Sequence, residues 1–308
     1  DYRAGDKITM PSSDVVLYAV WKKTQLSAAS YAADGYGITG LNSVYHHGDT
    51  VEFRVTGAKP KVFVNGQRIY EGENGLYSFI IKENTHIYVA DGTKLSLIYS
   101  ANGGANPPSD KNSYNADDIA EISEEKPTRT GYTFVGWART PYADGKDYDS
   151  GSVLEFTGED VVLYAVWQAN GYTVSYDPNG GAGDMTSDEF SYGTAGSLSA
   201  NKYEKTGFTF IGWATSANGE AVYADLAAVY NLTSELNANI TLYAKWEKTI
   251  TVISFAEDGG IELNSPILVA YGDKLSSEGL VAPTRAGYFF AGYRTGANGS
   301  GELIFDEN

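Results

Sequence analysis

The chain has 308 residues, 42% of them hydrophobic and 20% charged, which is enough apolar side chain for packed cores and too little charge for general disorder. Its net charge of -17 repels phosphate backbones and argues against nucleic-acid partners, while the absence of cysteine removes disulfides, thiolate chemistry and Cys-type zinc sites. No apolar run reaches the roughly 18 residues of a membrane helix and no basic-then-apolar leader opens the chain, so neither membrane insertion nor a signal peptide is expected in this segment.

In chain order, residues 1–25 read as the closing part of a β-module. Residues 14–21 run Asp-Val-Val-Leu-Tyr-Ala-Val-Trp, apolar on both strand faces, the pattern of a central, well-covered strand. The same eight residues return at 160–167, and a variant, Asn-Ile-Thr-Leu-Tyr-Ala-Lys-Trp, stands at 239–246. Residues 1–21 align without a gap on 147–167 and so correspond to the last third of a repeat.

Residues 26–94 lack these tryptophan motifs. The run Val62-Phe63-Val64-Asn65-Gly66, then Gly75-Leu76-Tyr77-Ser78-Phe79 and His86-Ile87-Tyr88-Val89, reads as alternating strands with an Asn-Gly turn, which predicts a small sandwich-like or sheet-rich module.

Residues 95–170 and 171–248 are two whole copies of one unit. Each opens with period-two alternation (Leu95, Leu97, Tyr99; Tyr172, Val174, Tyr176) and then an Asn-Gly pair that tolerates positive φ in a tight turn. Each continues with a middle block, Gly131-Tyr132-Thr133-Phe134-Val135-Gly136-Trp137 or Gly207-Phe208-Thr209-Phe210-Ile211-Gly212-Trp213, whose tryptophans lie 76 residues apart. Tyr132 and Phe134 share one strand face, and Gly136 marks a close backbone approach that lets Trp137 cover the core. Residues 226–236 carry Leu226, Val229, Tyr230 and Leu236 at partly helical spacing, a candidate helix or else a loop insertion. Residues 249–308 hold an opening (Phe255 to Gly260) and a middle block (Gly287 to Tyr293), with the closing strand still to follow after Leu303-Ile304-Phe305.

The Pro-Thr-Arg-x-Gly-Tyr-x-Phe-x-Gly-Trp run at 127–137, together with Leu-Tyr-Ala-x-Trp at 163–167, resembles the Listeria/Bacteroides repeat, also described as the internalin B-type repeat. Lys202-Tyr203-Glu204 in the second copy and Tyr293 in the last depart from the motif. The resemblance implies a mainly β fold of small β-grasp-like modules in a tandem, elongated array, on secreted or wall-attached bacterial proteins, with no chemistry attached. Residues 26–94 are similar to another β-rich bacterial surface repeat.

The two partial repeats fit each other: residues 250–308 lack the strand that residues 1–21 supply. Two readings stand, leftover partial repeats of a longer array, or self-association in which residues 1–21 complete the open sheet of residues 250–308 by strand addition.

Little chemistry is visible. His46, His47 and His86 lack a second pair at zinc spacing, and Asp144, Asp147 and Asp149 lack the glutamate and spacing of an EF-hand, so no metal and no cofactor is expected. The glycine pairs 103–104 and 180–181 are turns without a phosphate-binding pattern. Most of the 24 tyrosines recur at equivalent repeat positions and read as core. Tyr31, Tyr36, Tyr45, Tyr70 and Tyr77 fall outside that pattern and mark the candidate binding surface for a host protein or glycan. The sequence therefore predicts a non-catalytic stalk for spacing and adhesion on the bacterial cell surface, the alternative being a binding module centred on residues 26–94.

Overall fold

The computed structural model describes residues 16, 18–256, 258–261, 264–275 and 280–305; residues 1–13, and 14, 15 and 17 of the predicted closing strand at 14–21, lie outside them. The chain is almost entirely β, with no α-helix among the described residues. It divides into two compact units, one of residues 1–173, 189–196 and 229–239 and the other of residues 174–188, 197–228 and 240–308.

The first unit begins with a nine-stranded module: β1 (Gln25–Leu26), β2 (Ala28–Ala32), β3 (Gly37–Thr39), β4 (Tyr45–His46), β5 (Thr50–Thr56), β6 (Pro60–Val64), β7 (Gln67–Ile69), β8 (Tyr77–Ile80) and β9 (Thr85–Asp91). A four-stranded sheet, β2-β9-β6-β7, and a three-stranded one, β3-β5-β8, enclose Val51, Phe53, Val62, Tyr77, Ile87 and Val89. The alternation predicts this: Val51 and Phe53 point inward from β5 while their neighbours Glu52 and Arg54 face water. The Asn65-Gly66 turn of the β6–β7 hairpin forms as read, with both residues at positive φ.

The first repeat contains β10 (Leu97–Ser100), β11 (Ile119–Glu121), β12 (Tyr132–Ala138), β13 (Val153–Glu155) and β14 (Val161–Ala169). β14 is the central strand, parallel to β10 from Leu97↔Val161 and antiparallel to β12 from Tyr132↔Ala169. Having its first and last strands adjacent and parallel makes the module β-grasp-like, but the antiparallel β11–β13 pair covers the sheet where a helix might be looked for. Ala120 and Ile122 from that side meet Leu97, Leu163 and the fully buried Trp137. The register slips at Gly136, where a Cβ would stand 2.7 Å from the Tyr148 carbonyl oxygen, so the close approach read from the sequence is real.

The second repeat contributes to both units, through β15 (Gly171–Asp177), β16 (Asp188–Ser191), β17 (Ala195–Ser197), β18 (Phe208–Ala214), β19 (Ala228–Tyr230) and β20 (Asn239–Lys248). Its sheet order is β16-β15-β20-β18, again with the Leu-Tyr-Ala-x-Trp strand between its neighbours, and Gly212 repeats the slip. The helix considered for residues 226–236 is absent. Leu226, Asn231 and Asn237 have positive φ, and between the first two lies the short strand β19, so turns interrupt the spacing that suggested a helix.

In the third repeat, within the second unit, β21 (Ile250–Ile253) pairs with β22 (Ile267–Ala270), and β23 (Tyr293–Arg294) pairs with β24 (Leu303–Phe305).

Candidate functional site

The repeat motif is a self-contained set of contacts. Asn102 Nδ2 donates to the Pro141 and Ala165 carbonyls, and Asn179 Nδ2 does the same to Ala217 and Ala244, so the turn asparagine ties the opening to the closing strand. The closing Trp167 donates its indole N–H to the Ala101 carbonyl at 2.9 Å, as Trp246 does to Pro178. The motif cation lies over the motif aromatic: Arg129 over Tyr132 at 3.9 Å, Lys205 over Phe208 at 4.7 Å and Arg285 over Tyr288 at 4.4 Å.

One polar cluster superficially resembles a reactive centre. The Asp188 carboxylate accepts hydrogen bonds from the Tyr176 hydroxyl, the Ser199 hydroxyl and the Ser199 amide at 2.5, 2.6 and 2.8 Å. Burial pushes the Asp188 carboxyl up, but these bonds outweigh it and hold it below its ordinary value. A carboxylate so stabilised is a poor general base for Ser199, and the cluster acts as a lock between β15, β16 and the turn after β17. Asp188→Asn is expected to lower the stability of this region by about 1–2 kcal/mol at pH 7. Because the folded-state pKa lies below the unfolded one, the wild-type advantage is present above the unfolded value and fades as pH falls through the folded one. Urea titrations at pH 7 and pH 3 that gave equal wild-type-to-variant differences would contradict this.

Among the described residues no group of His, Asp and Glu is arranged to hold a metal ion. Asp147 accepts from the Arg139 amide at 2.8 Å and Asp149 pairs with Lys146, so two of the three aspartates weighed for calcium have protein partners. His86 is half-buried, and that partial desolvation pushes its pKa down, while His46 and His47 are exposed near the β4 turn.

The five tyrosines outside the repeat pattern do not converge on one surface. Tyr45 and Tyr77 are core residues of the first module, Tyr77 stacked on Phe53 at 5.6 Å. Tyr36 donates to the Ala58 carbonyl with its ring against Gly57. Tyr31 stacks on Tyr88 at 5.1 Å. Tyr70 alone projects into solvent, 78% exposed, with the Arg68 guanidinium 5.6 Å from its ring centre.

What the structure adds is a set of built junctions. Between the first module and the first repeat, Phe63, Tyr88 and Ala90 pack with Ile98, Val162 and Tyr31 in a separate apolar cluster. Beside it, Lys61 Nζ donates to the Asp160 carboxylate and to the Lys94 carbonyl, both at 2.5 Å, and Asp160 also accepts from the Ser96 amide. Gln67 donates to the Tyr164 hydroxyl at 2.7 Å, and the Gly66 turn sits so close to β14 that a Cβ there would lie 2.6 Å from Val162.

The two repeat-to-repeat junctions share a second design. Asn170 donates its amide to the Gly131 carbonyl and accepts from the Tyr192 amide, each at 2.9 Å, and a Cβ on Gly131 would lie 2.2 Å from the Tyr192 ring. Thr249 does the same with Gly207 and Tyr271 at 2.9 Å, and a Cβ on Gly207 would lie 2.1 Å from the Tyr271 ring. The ring of each following repeat meets the motif aromatic of the preceding one edge-on, Tyr192 on Tyr132 at 5.7 Å and Tyr271 on Phe208 at 6.0 Å. These tyrosines were not singled out from the sequence, although a Tyr-Gly pair recurring 79 residues apart was the available signal. Gly131 has φ of +77°, so Gly131→Val combines left-handed strain with displacement of the Tyr192 ring. A loss on the order of 1–3 kcal/mol is expected, read as faster hydrogen exchange at the Tyr192 and Asn170 amides; unchanged exchange there would show the junction to be slack.

Similarity to known proteins follows the same boundaries of pattern. The Listeria-Bacteroides repeat domain matches residues 96–166, 172–245 and 252–308. A Gly-rich membrane protein of Evansella cellulosilytica is 34% identical over 168 residues, 54% of this chain and 18% of that protein. A second membrane protein of the same organism is 27% identical over 227 residues, 72% of this chain and 32% of its own length. Internalin H of Listeria monocytogenes is 35% identical over 127 residues, 40% of this chain and 20% of internalin H. The chain thus spans between about a fifth and a third of the length of these relatives. No solved structure matches it. Three matched copies over more than half of the chain, all with the same cation–aromatic contact and two of them with the same turn and closing-strand contacts, place the chain in the Listeria-Bacteroides repeat family.

Proposed function

We propose that this segment is a non-catalytic spacer of a bacterial cell-surface protein, holding what lies on either side of it at a set separation. The observation that carries the reading is the repeated junction, in which a Gly carbonyl, a bridging residue and a Tyr-Gly turn recur with the same hydrogen bonds at Gly131 and at Gly207. A linker needs only length, whereas a spacer needs defined joints, and joints of this kind are what docked aromatic rings and paired backbone amides provide. The membrane proteins and the internalin among the relatives support placement outside the cell.

The chain has no cysteine, so spin labels at Lys82→Cys and Glu235→Cys report one distance without background. A single narrow distribution, unchanged between low and high salt, is the expected result. A broad distribution would overturn the spacer reading.

One observation favours a second role, binding of a host protein or glycan by the first module: the exposed Tyr70 ring beside Arg68 offers an apolar face next to a cation. A glycan array probed with the whole chain and with Tyr70→Ala distinguishes the roles, since signal lost in the variant supports binding and no signal in either leaves spacing alone.

A further inference from the structure

On the face of the first module that meets the first repeat, one row of side chains crosses the four-stranded sheet: Tyr31 on β2, Tyr88 on β9, Phe63 on β6 and Arg68 on β7 stand opposite one another. The three aromatic residues belong to the apolar cluster of the junction. β7 is the edge of the sheet, so the row ends on a cation.

Arg68 is held in place and unpaired. Its guanidinium carbon lies 5.2 Å from the ring centre of Phe63 and 5.6 Å from that of Tyr70. Its Nε is buried with no hydrogen-bond partner, and Arg68 enters no ion pair among the described residues. Acidic residues outnumber basic ones 39 to 22, so the lone cation is not explained by a shortage of carboxylates. Glu71, the carboxylate nearest in sequence, turns towards Arg54 instead: a Cβ on Gly75 would lie 3.1 Å from Glu71 Oε1 and 3.2 Å from Arg54 Nη1.

A guanidinium fixed by two rings needs little further ordering when a ligand engages it, and its parallel N–H donors match both oxygens of a carboxylate. Tyr70 is 78% exposed, so its ring stays open to a second group beside the cation. The net charge of -17 opposes anions at long range, but physiological salt screens that field beyond about 8 Å and leaves the local cation to decide at contact.

We infer that Arg68 and Tyr70 form a subsite for an acidic sugar, a pyranose that bears a carboxylate. The carboxylate pairs with the Arg68 guanidinium, and the apolar face of the sugar ring lies on Tyr70. Uronic and sialic sugars carry the carboxylate directly on the ring, which sets anion and apolar face side by side, as cation and aromatic ring are set here. A carboxylate on a flexible peptide side chain brings no such face with it. The inference names the ligand class for the binding role proposed above for the first module and rests on that role.

Saturation-transfer NMR titration of the whole chain with sialyllactose and with a hyaluronan tetrasaccharide, against lactose and a tetraglutamate peptide, tests this. An acidic sugar is expected to bind, and the one that does identifies the source as sialic or uronic; lactose and the peptide are expected to bind about tenfold more weakly or worse. Arg68→Met keeps a long side chain over Phe63 and is expected to weaken the acidic sugar about tenfold with an unchanged circular dichroism spectrum. Arg68→Lys keeps the charge but not the fork, and a loss of about threefold is expected. Acidic-sugar binding unchanged in Arg68→Met overturns the inference, as does the peptide binding as tightly as the sugar. Lactose binding equally well, and lost in Tyr70→Ala, overturns the acidic ligand while leaving a glycan-binding role in place. No binding by any probe overturns both the inference and the role on which it rests.

Discussion

Trp137→Ala is expected to lower the stability of the first repeat by about 3–5 kcal/mol, the range for removing a large aromatic side chain from a packed core. Trp137 is fully buried and meets Tyr99 at 4.8 Å and Phe134 at 5.0 Å, while Phe134 in turn meets Trp167 at 5.8 Å, so its removal leaves a cavity between both flanks of the sheet. The indole N–H has no hydrogen-bond partner among the described residues, and the same holds for Trp213. Trp137→Phe therefore loses packing area but also removes an unpaired buried donor, and a smaller loss, under about 2 kcal/mol, is expected. Hydrogen exchange resolves the two variants, with protection falling in β10, β12 and β14 while β18 keeps its own. Equal losses for the Ala and Phe variants would falsify the assignment of Trp137 as the central packing residue.

Lys61→Met is expected to cost roughly 2–4 kcal/mol at the junction of the first module and first repeat, because it leaves a largely buried carboxylate without its cation. The Lys61 side chain is 11% exposed and that of Asp160 25%, so solvent compensates little. The lost bond to the Lys94 carbonyl adds to the cost. Lys61→Met combined with Asp160→Asn removes the stranded charge while keeping an acceptor for the Ser96 amide, and is expected to recover more than half of the loss. A double-mutant cycle read by urea denaturation measures the coupling; additive effects within about 0.5 kcal/mol would show the two residues to be independent.

The repeat was legible because its contacts are local in pattern. Period-two alternation, Asn-Gly turns and a glycine before each buried tryptophan each have one structural meaning, and all three formed as read at Asn102, Gly136 and Trp137. Residues 226–236 were ambiguous for the opposite reason. Apolar spacing there fits a helix until Leu226 and Asn231 adopt positive φ, a backbone choice that spacing does not encode. The tyrosines of the first module show the same limit: alternation put Tyr77 on a strand, but only the closure of two sheets decided that it faces Phe53 and the core while Tyr70 faces water.

By itself the sequence determined the fold class, the repeat unit, the identity of the closing strand and the family, since each of these is carried by residues close together in the chain. The tertiary structure alone decided which residues join one module to the next. Tyr192 and Tyr271 look like any recurring core aromatic until the glycines at 131 and 207, more than 60 residues upstream in each case, are seen to leave room for their rings. Lys61 and Asp160 are unremarkable surface charges until two sheets bring them together across 99 residues of chain. Burial at a junction depends on what the next module presents, and no local pattern records that.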